Sequence, residues 1–364
     1  MPFPDPRFMR LALRLARRGA GRTSPNPAVG AVLVRKGNVV GSGYHRAAGM
    51  PHAEVEALRA AGAASRGADL YVTLEPCAHM GRTGPCTGAI IAAGVRRVAA
   101  AMQDPNPQVA GRGFRALRRA GITVVRGMME EEARSLNRPY CRWVVSGRPF
   151  VTLKLAVSLD GQIATADGES RWISGEPARK MVHRMRSEAD AVLVGGETFR
   201  RDAPLLTVRG RGGRNPRRVI LTSRVSGVAR SGRFLEAGGE VIVAAPRGVP
   251  RGEADRLRSL GIRVLLLPVR KGRIEPGAFL DALGKEGITS LLAEGGGKTA
   301  GWLVEAGAVD RYILFLAPLL LGEGVRSVAG FAVRRIQEGR RLAITSVTRA
   351  GGDIMVVAEP VPAV

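Results

Sequence analysis

His52-Ala53-Glu54, followed by Pro76-Cys77 and then by Cys86, is the stretch whose reading decides the fold of the first half of the chain. Around it, strand-like and helix-like patterns alternate. Val29–Arg35 and Val39–Tyr44 read as a hairpin about Lys36-Gly37-Asn38. A helix is predicted from His52 to Ala61, a strand over Leu70–Leu74, a helix from Thr87 to Ala93 and a strand over Val98–Ala101. A helix over Gly113–Ala120, a strand over Ile122–Val125 and a helix from Glu130 to Arg142 complete the alternation of an α/β unit. His52 and Glu54 therefore stand at the start of one helix, and Pro76-Cys77 with Cys86 opens or precedes the next.

One imidazole and two thiolates suit a zinc ion used for hydrolysis, which takes three protein ligands and keeps a fourth position for water. His52, Cys77 and Cys86 are the candidate metal ligands, and the positive end of a helix helps to hold a thiolate ionised. Glu54, two residues beyond the histidine, is the candidate catalytic acid and base, placed to move a proton from the activated water to a departing amine. His-x-Glu with a later Pro-Cys and a second Cys is the signature of zinc deaminases, usually with two residues between the cysteines. Here eight residues, Ala78 to Pro85, separate them. Two other readings stand beside this one: Cys77 and Cys86 as ordinary buried thiols, and a zinc site that only stabilises the fold, which would have no use for Glu54. His79 could rival as a ligand through Cys77-x-His79, but a filled triad leaves it as a substrate contact.

Beyond Glu130–Arg142 the pattern breaks at Ser146-Gly147-Arg148-Pro149, which divides the chain into domains 1–146 and 147–364. Strands are predicted at Phe150–Ser158, Ala191–Gly195, Val219–Thr222, Val241–Ala244, Arg263–Leu267, Ser290–Glu294 and Tyr312–Leu316. Helices are predicted at Pro177–Glu188, Glu253–Leu260, Pro276–Leu283 and Thr299–Ala306, with a closing hairpin across Gly351-Gly352-Asp353. Glu294 to Thr299 is the best phosphate cradle: a strand, three glycines, then a helix start with free N–H groups. It is not a P-loop, because Leu292 stands where the first glycine is required. Gly295-x-Gly297-x-x-Ala300 matches a dinucleotide fingerprint in form, although it lies late in its domain.

The first residues, Arg7 to Arg22, are Arg-rich and amphipathic like a transit peptide, but read better as a helix. Asp5 caps it, Pro6 takes its first position, and Phe8, Leu11, Ala12, Leu15 and Ala16 form one face. The chain has 364 residues, a length that favours two domains, and 45% of them are hydrophobic, enough for two cores. Three cysteines make no disulfide framework and point to a reducing, cytoplasmic compartment. No membrane partner is expected: Ile313 to Leu321, the longest apolar run, is interrupted by Pro318 and reads as a buried strand and turn. The formal charge of +25 comes from 50 arginines and six lysines spread along the whole chain. A codon bias towards arginine gives the same composition as polyanion binding. A nucleic-acid base deaminase would need stacking aromatics, and aromatics are only 4% here, so no nucleic-acid partner is expected.

Asn26-Pro27-Ala28-Val29-Gly30, His52-Ala53-Glu54, Leu74-Glu75-Pro76-Cys77-Ala78-His79 and Gly81-Arg82-Thr83-Gly84-Pro85-Cys86 together resemble the bifunctional riboflavin-biosynthesis deaminase/reductase family. Asp104-Pro105-Asn106-Pro107 and Gly111-Arg112-Gly113 match as well. So do Thr152–Ala156, Ser158–Gly161, Ser170–Ser174, Thr198–Asp202, Pro204–Arg209 and Glu294–Gly297, so the resemblance spans nearly the whole chain. In that family the long Cys–Cys spacing is the norm. Gly84 departs from a usual proline, Ala203 from a frequent second Asp, and Thr222 from a frequent Asp before Ser223.

The resemblance implies an α/β protein with an N-terminal cytidine-deaminase-like three-layer domain followed by a dihydrofolate-reductase-like domain. It implies Zn2+ and NADPH as cofactors, and a small phosphorylated pyrimidine, deaminated and then reduced from ribosyl to ribityl phosphate, as substrate. Carried over by position, Val157, Trp172, Thr198, Asp202, Ser223 and Gly296, Gly297, Lys298, Thr299, Ala300, Gly301 and Trp302 would contact NADPH. Asn26, His79, Lys154, Ser170, Arg186, Leu206, Arg209 and Glu294 would contact substrate. Arg186 and Arg209 suit a phosphate, which a guanidinium fork binds at two points. A homo-oligomer is the expected assembly.

Overall fold

Lys36 and Gly37 both take positive φ, 49° and 81°, the backbone that closes a two-residue hairpin with the twist of its strands. They join β1 (Gly30–Arg35) to β2 (Asn38–Tyr44), after a first helix α1 (Pro6–Arg17). Then come α2 (Ala53–Ala61), β3 (Asp69–Val72), α3 (Cys86–Ala92), β4 (Arg97–Ala100), α4 (Arg112–Arg119), β5 (Thr123–Arg126), α5 (Glu130–Leu136) and α6 (Arg138–Ser146). The computed structural model describes residues 3–78, 84–208, 214–229 and 231–361, and the chain divides into two units, Met1–Gly147 and Arg148–Val364.

The sheet of the first unit runs β2-β1-β3-β4-β5, antiparallel about β1 and parallel from β3 onwards. Glycines show why helices lie on both faces. A Cβ on Gly30 would fall 2.0 Å from the Ala12 carbonyl oxygen of α1, and one on Gly43 would fall 2.7 Å from the Ala57 nitrogen of α2. Gly43 pairs with Ala31, the neighbour of Gly30 on β1. Adjacent strand residues point to opposite faces, so α1 and α2 sandwich the sheet and three layers result.

Helix α1 begins as its sequence dictates: the Asp5 carboxylate accepts the Arg7 N–H at 2.9 Å. Its fully buried stripe is Met9, Ala12, Leu13 and Ala16, while Phe8, Leu11 and Leu15 are only partly covered. The stripe is thus turned by one residue from the expected face. The single helix expected from Glu130 to Arg142 is instead two. Asn137 leaves helical geometry (φ −108°, ψ 18°) and clamps the chain before β1, accepting Ala28 N–H at 2.8 Å and donating to Ala28 C=O at 3.0 Å. Pro139, at the start of α6, removes the N–H that would have continued the first helix.

The second unit contains β6 (Phe150–Ser158), β7 (Gln162–Thr165), α7 (Glu176–Glu188), β8 (Ala191–Gly195), α8 (Gly196–Asp202), β9 (Arg217–Leu221), α9 (Gly232–Glu236) and β10 (Val241–Pro246). It continues with α10 (Arg251–Ser259), β11 (Arg263–Leu267), β12 (Val269–Arg270), β13 (Arg273–Ile274), α11 (Pro276–Lys285), β14 (Ser290–Ala293), α12 (Gly297–Glu305) and β15 (Arg311–Ala317). The closing strands are β16 (Gly324–Arg326), β17 (Leu342–Ala350) and β18 (Asp353–Pro360). Nine strands form one sheet in the order β11-β10-β9-β8-β14-β6-β15-β18-β17. The first seven are parallel, and the closing hairpin is antiparallel. The apolar run after β15 is not a buried turn, since Leu319 and Leu320 are 39% and 71% exposed. The Asp160 carboxylate holds that turn from outside, accepting the N–H groups of Leu321 at 3.0 Å and Gly322 at 2.6 Å.

Candidate active sites

In the first unit, His52 caps α2 in extended backbone and Cys86 is the first residue of α3. Cys77 lies on the loop between β3 and α3, not on a helix, and its sulfur accepts the Cys86 N–H at 3.3 Å. His52 Nδ1 stands 3.1 Å from Cys86 Sγ and 3.6 Å from Cys77 Sγ, and all three ligand atoms lie within 4.8 Å of one another. Zinc bonds of about 2.0 Å to nitrogen and about 2.3 Å to sulfur require ligand separations of roughly 3.5–3.8 Å in a tetrahedron. The triangle therefore fits zinc with small adjustments. The closeness of the two sulfurs holds the Cys77 thiol low and pushes the Cys86 thiol up.

Glu54 lies in the first turn of α2, buried at 4% exposure. Burial pushes its carboxyl up to about 7, so near neutrality it can both take and give a proton. Beside it stands a residue the sequence reading passed over. His45 Nδ1 donates to the Pro51 carbonyl at 3.1 Å, which leaves Nε2 to accept from Asn26 Nδ2 at 3.3 Å. Its ring packs edge-on against His52 at 5.3 Å, and burial lowers its basicity, so this imidazole is neutral. Asn26, expected at the substrate, is thereby fixed with its side-chain oxygen left to accept. The scarcity of histidine, four in the chain with His45 and His52 so near each other, was the available signal.

Glu75 was quoted only as part of a motif, yet it holds the ligand loop. Its buried carboxylate accepts four backbone N–H groups, from Asp104 (3.3 Å), Gly111 (2.9 Å), Gly113 (2.8 Å) and Phe114 (3.2 Å). It anchors Pro76-Cys77 to the start of α4. His79 lies outside the described residues.

The second unit holds a cavity of about 1400 Å³ along the C-terminal ends of its parallel strands, the usual place for a ligand in such a sheet. On its floor Arg186 donates to Glu294 through Nε at 2.6 Å and Nη2 at 3.0 Å, and through Nη1 to the Thr207 carbonyl at 3.2 Å. Lys154 Nζ lies 3.9 Å from the same carboxylate. Burial pushes Glu294 up, but Arg186 and then Lys154 outweigh it and hold the carboxyl below its ordinary range. Burial lowers Lys154 despite Glu294. One edge of the Arg186 guanidinium is thus taken by the Glu294 carboxylate and Nη1 by the Thr207 carbonyl, with Arg186 still lining the cavity.

Ser170, Trp172 and Leu206 line the cavity as expected, Leu206 with φ 57°. Thr198, Asp202, Ser223, Gly296, Gly297, Lys298, Thr299 and Trp302 line it too. Val157, Ala300 and Gly301 do not. Val157 turns into the apolar core, Ala300 is fully buried there, and a Cβ on Gly301 would meet the Ala329 carbonyl oxygen at 1.9 Å. Arg209 lies outside the described residues.

The cavity suits a dinucleotide on two grounds. A Cβ on Gly295 would press on Thr299 at 2.6 Å and one on Gly297 would meet the Arg326 carbonyl oxygen at 2.1 Å, so a bare backbone is required there. The first N–H groups of α12, beginning at Gly297, have no acceptor inside the helix and are available to an anion. Thr198 steadies the cradle by accepting Gly296 N–H at 3.1 Å.

A zinc-type deaminase unit joined in one chain to a dihydrofolate-reductase-like unit is the class these two sites define. Residues 4–102 match the cytidine and deoxycytidylate deaminase zinc-binding region, and residues 149–356 match the RibD C-terminal domain. The chain is 42% identical to the riboflavin biosynthesis protein RibD of Aquifex aeolicus (strain VF5), over 97% of each chain. It is 41% identical to that of Escherichia coli (strain K12), over 96% of this chain and 98% of the other. The structure of Acinetobacter baumannii RibD superposes with a TM-score of 0.88 at 37% identity, over 98% of each chain. The chain belongs to the RibD family of bifunctional riboflavin-biosynthesis enzymes, with a deaminase and a reductase domain that use Zn2+ and NADPH.

Proposed function

We propose that residues 1–146 hydrolytically deaminate 2,5-diamino-6-(5-phosphoribosylamino)pyrimidin-4-one, and that residues 147–364 then reduce the ribosyl group of the product to ribityl phosphate. A solved relative from Thermotoga maritima, 35% identical over 98% of each chain, is described as a diaminohydroxyphosphoribosylaminopyrimidine deaminase/5-amino-6-(5-phosphoribosylamino)uracil reductase. The observation that carries the reading is the buried Glu54 carboxyl in the first turn of α2, on the same helix start as His52 of the His52–Cys77–Cys86 triangle.

His52, Cys77 and Cys86 would hold a zinc ion, which would supply an activated water for attack on the amino-bearing ring carbon. Glu54 takes the proton of that water and passes it to the ring nitrogen and the leaving amine. Asn26, fixed by neutral His45, offers its oxygen to a ring amine. His79 would contact substrate.

In the second unit the cavity would hold NADPH, which would supply hydride to the opened form of the sugar. Trp172, Thr198, Asp202, Ser223 and the Gly296–Thr299 turn with Trp302 hold the cofactor. Lys154 lies where its ammonium can give a proton to the sugar oxygen, with Glu294 and Arg186 fixing its position. Ser170, Leu206 and Arg209 complete the substrate contacts. The Arg–Glu pair orients the lysine, and Arg209 is left as the phosphate ligand.

The assembly we propose is a homo-oligomer. Strand β17 is the edge of the nine-stranded sheet and exposes Ile344 and Val347 at 67% and 60%, an edge that proteins cover. The compartment is the cytoplasm, where reducing conditions preserve the free Cys77 and Cys86 thiols that zinc needs. The test is a coupled assay on zinc-loaded protein with the diaminopyrimidinone ribosyl phosphate, following ammonia release and NADPH oxidation separately. Both signals support the two-step reading; absence of ammonia release refutes the deaminase half, and ammonia release without NADPH oxidation refutes the reductase half.

A further inference from the structure

The solvent side of α1 is a row of arginines. Arg7, Arg10, Arg14, Arg17 and the C-cap Arg18 are all exposed. At about 3.6 residues per turn they fall within an arc of roughly 100° and extend over roughly 16 Å. The buried Met9, Ala12, Leu13 and Ala16 lie on the opposite side. No acid interrupts the row, and Arg7 is paired with Asp5. Arg10, Arg14, Arg17 and Arg18 have no carboxylate within ion-pair distance among the described residues. An arginine-rich composition does not by itself produce this. On α10, by contrast, Arg251 and Arg258 share Asp255 at 3.9 and 2.7 Å.

The row ends beside the zinc triangle. A Cβ on Gly19, next to Arg18, would meet the His45 carbonyl oxygen at 2.4 Å. The His45 ring lies 5.3 Å from the ring of the ligand His52, and Asn26 returns to His45 at 3.3 Å. Arg18 and Arg46 share the Tyr44 ring, their guanidinium carbons 4.9 and 5.7 Å from its centre. Glu56 stands 3.5 Å from Arg46, but the same carboxylate also serves Arg59 at 3.5 Å. Positive charge is therefore in surplus at this rim.

We propose that Arg18 and Arg46, with Arg14 and Arg17 behind them, form an electrostatic guide that gathers the phosphate end of the substrate at the mouth of the deaminase site. The proposal rests on the reading of the first unit as a deaminase of a ribosyl phosphate. Such a guide lowers KM and leaves kcat alone, because it acts equally on bound substrate and transition state. It also has a range. Charges are screened over about 8 Å at 0.15 M salt and about 30 Å at 0.01 M. Arg10 stands roughly 12 Å from Arg18 along the helix axis, inside the second range and outside the first.

The experiment follows ammonia release by the zinc-loaded full chain with the diaminopyrimidinone ribosyl phosphate, at about 0.01 and 0.15 M salt. Its dephosphorylated form, read through its own KM or its Ki, is the comparison without the dianion. For a dianion about 9 Å from two guanidiniums, Coulomb's law in water sets the scale. Arg18→Gln with Arg46→Gln should raise KM about tenfold at low salt and about threefold at high salt, with kcat unchanged. Arg18→Lys with Arg46→Lys should keep KM within about twofold of wild type, which separates charge from packing on Tyr44. Arg10→Gln should raise KM at low salt alone, and the dephosphorylated form should respond to none of these changes. A KM indifferent to salt and to the double Gln variant would overturn the guide and leave the deaminase reading standing. Equal weakening of both ligands by the Gln variant would also overturn it, as the mark of a structural role. No ammonia from wild-type protein would overturn the deaminase reading and the guide together.

Discussion

Arg186 and Glu294, 108 residues apart in sequence, meet in a two-point contact of 2.6 and 3.0 Å, with side chains only 16% and 8% exposed. Breaking such a buried pair from one side leaves an uncompensated charge and costs about 3–5 kcal/mol. Glu294→Gln is expected to destabilise the second unit by about that amount, because Lys154 loses its counter-charge too. Chemical unfolding followed by fluorescence measures it, and the deamination rate should stay within twofold of wild type.

The same pair sets an acid limit. Glu294 sits below its ordinary value of 4.5, so its contribution is fully present above that value and fades as pH falls through the lower folded value. Reductase-unit stability should therefore drop below about pH 4.5, and the drop should be shallower in Glu294→Gln. Melting temperatures between pH 3 and pH 7 test this. Parallel curves for the two proteins would contradict it.

Glu54→Gln keeps the size of the side chain and removes its ability to take a proton. Deamination should fall about 10²- to 10⁴-fold, while zinc content by mass spectrometry and NADPH oxidation with deaminated substrate persist. Loss of zinc along with activity would instead make Glu54 a ligand.

Chelation of zinc should abolish ammonia release and leave reduction of deaminated substrate intact. In the chelated protein iodoacetamide at neutral pH should label Cys77 ahead of Cys141, whose thiol burial pushes up to about 11. Peptide mapping with and without zinc decides it, and equal labelling of the two would speak against the assignment.

Glu75→Ala would strand four backbone N–H groups. Buried donors without acceptors cost about 1–3 kcal/mol each before water enters, so a loss of about 3 kcal/mol or more in the first unit is expected. Urea unfolding of zinc-loaded protein measures it.

How far the sequence could be read follows from the kind of contact each residue makes. The meeting of His52 and Cys86 follows from two helix starts, which local patterns carry well, and Cys77 joins them from the loop that precedes the second. The glycine cradle at Gly295–Gly297 was legible for the same reason. Glu75 and Asn137 were not, because both act on backbone groups delivered by distant loops, and backbone leaves no residue type to recognise. The ion pair of Arg186 was not legible, because a guanidinium serves carboxylate and phosphate alike and only the fold brings Glu294 to it. Strand alternation turns the Val157 side chain to the core, and its neighbour Ala156 lines the cavity.

Strand β6 has β14 and β15 as its two neighbours, and both come from the last third of the chain. A ribosome that has just released residues 150–158 must add roughly 130 more before either partner exists, on the order of 10 s at ordinary elongation speeds. Through that interval an apolar central strand waits without a mate. The second unit therefore cannot mature during its own synthesis as the first can. Until β14 and β15 are made, that nascent segment exposes apolar side chains that the finished sheet buries.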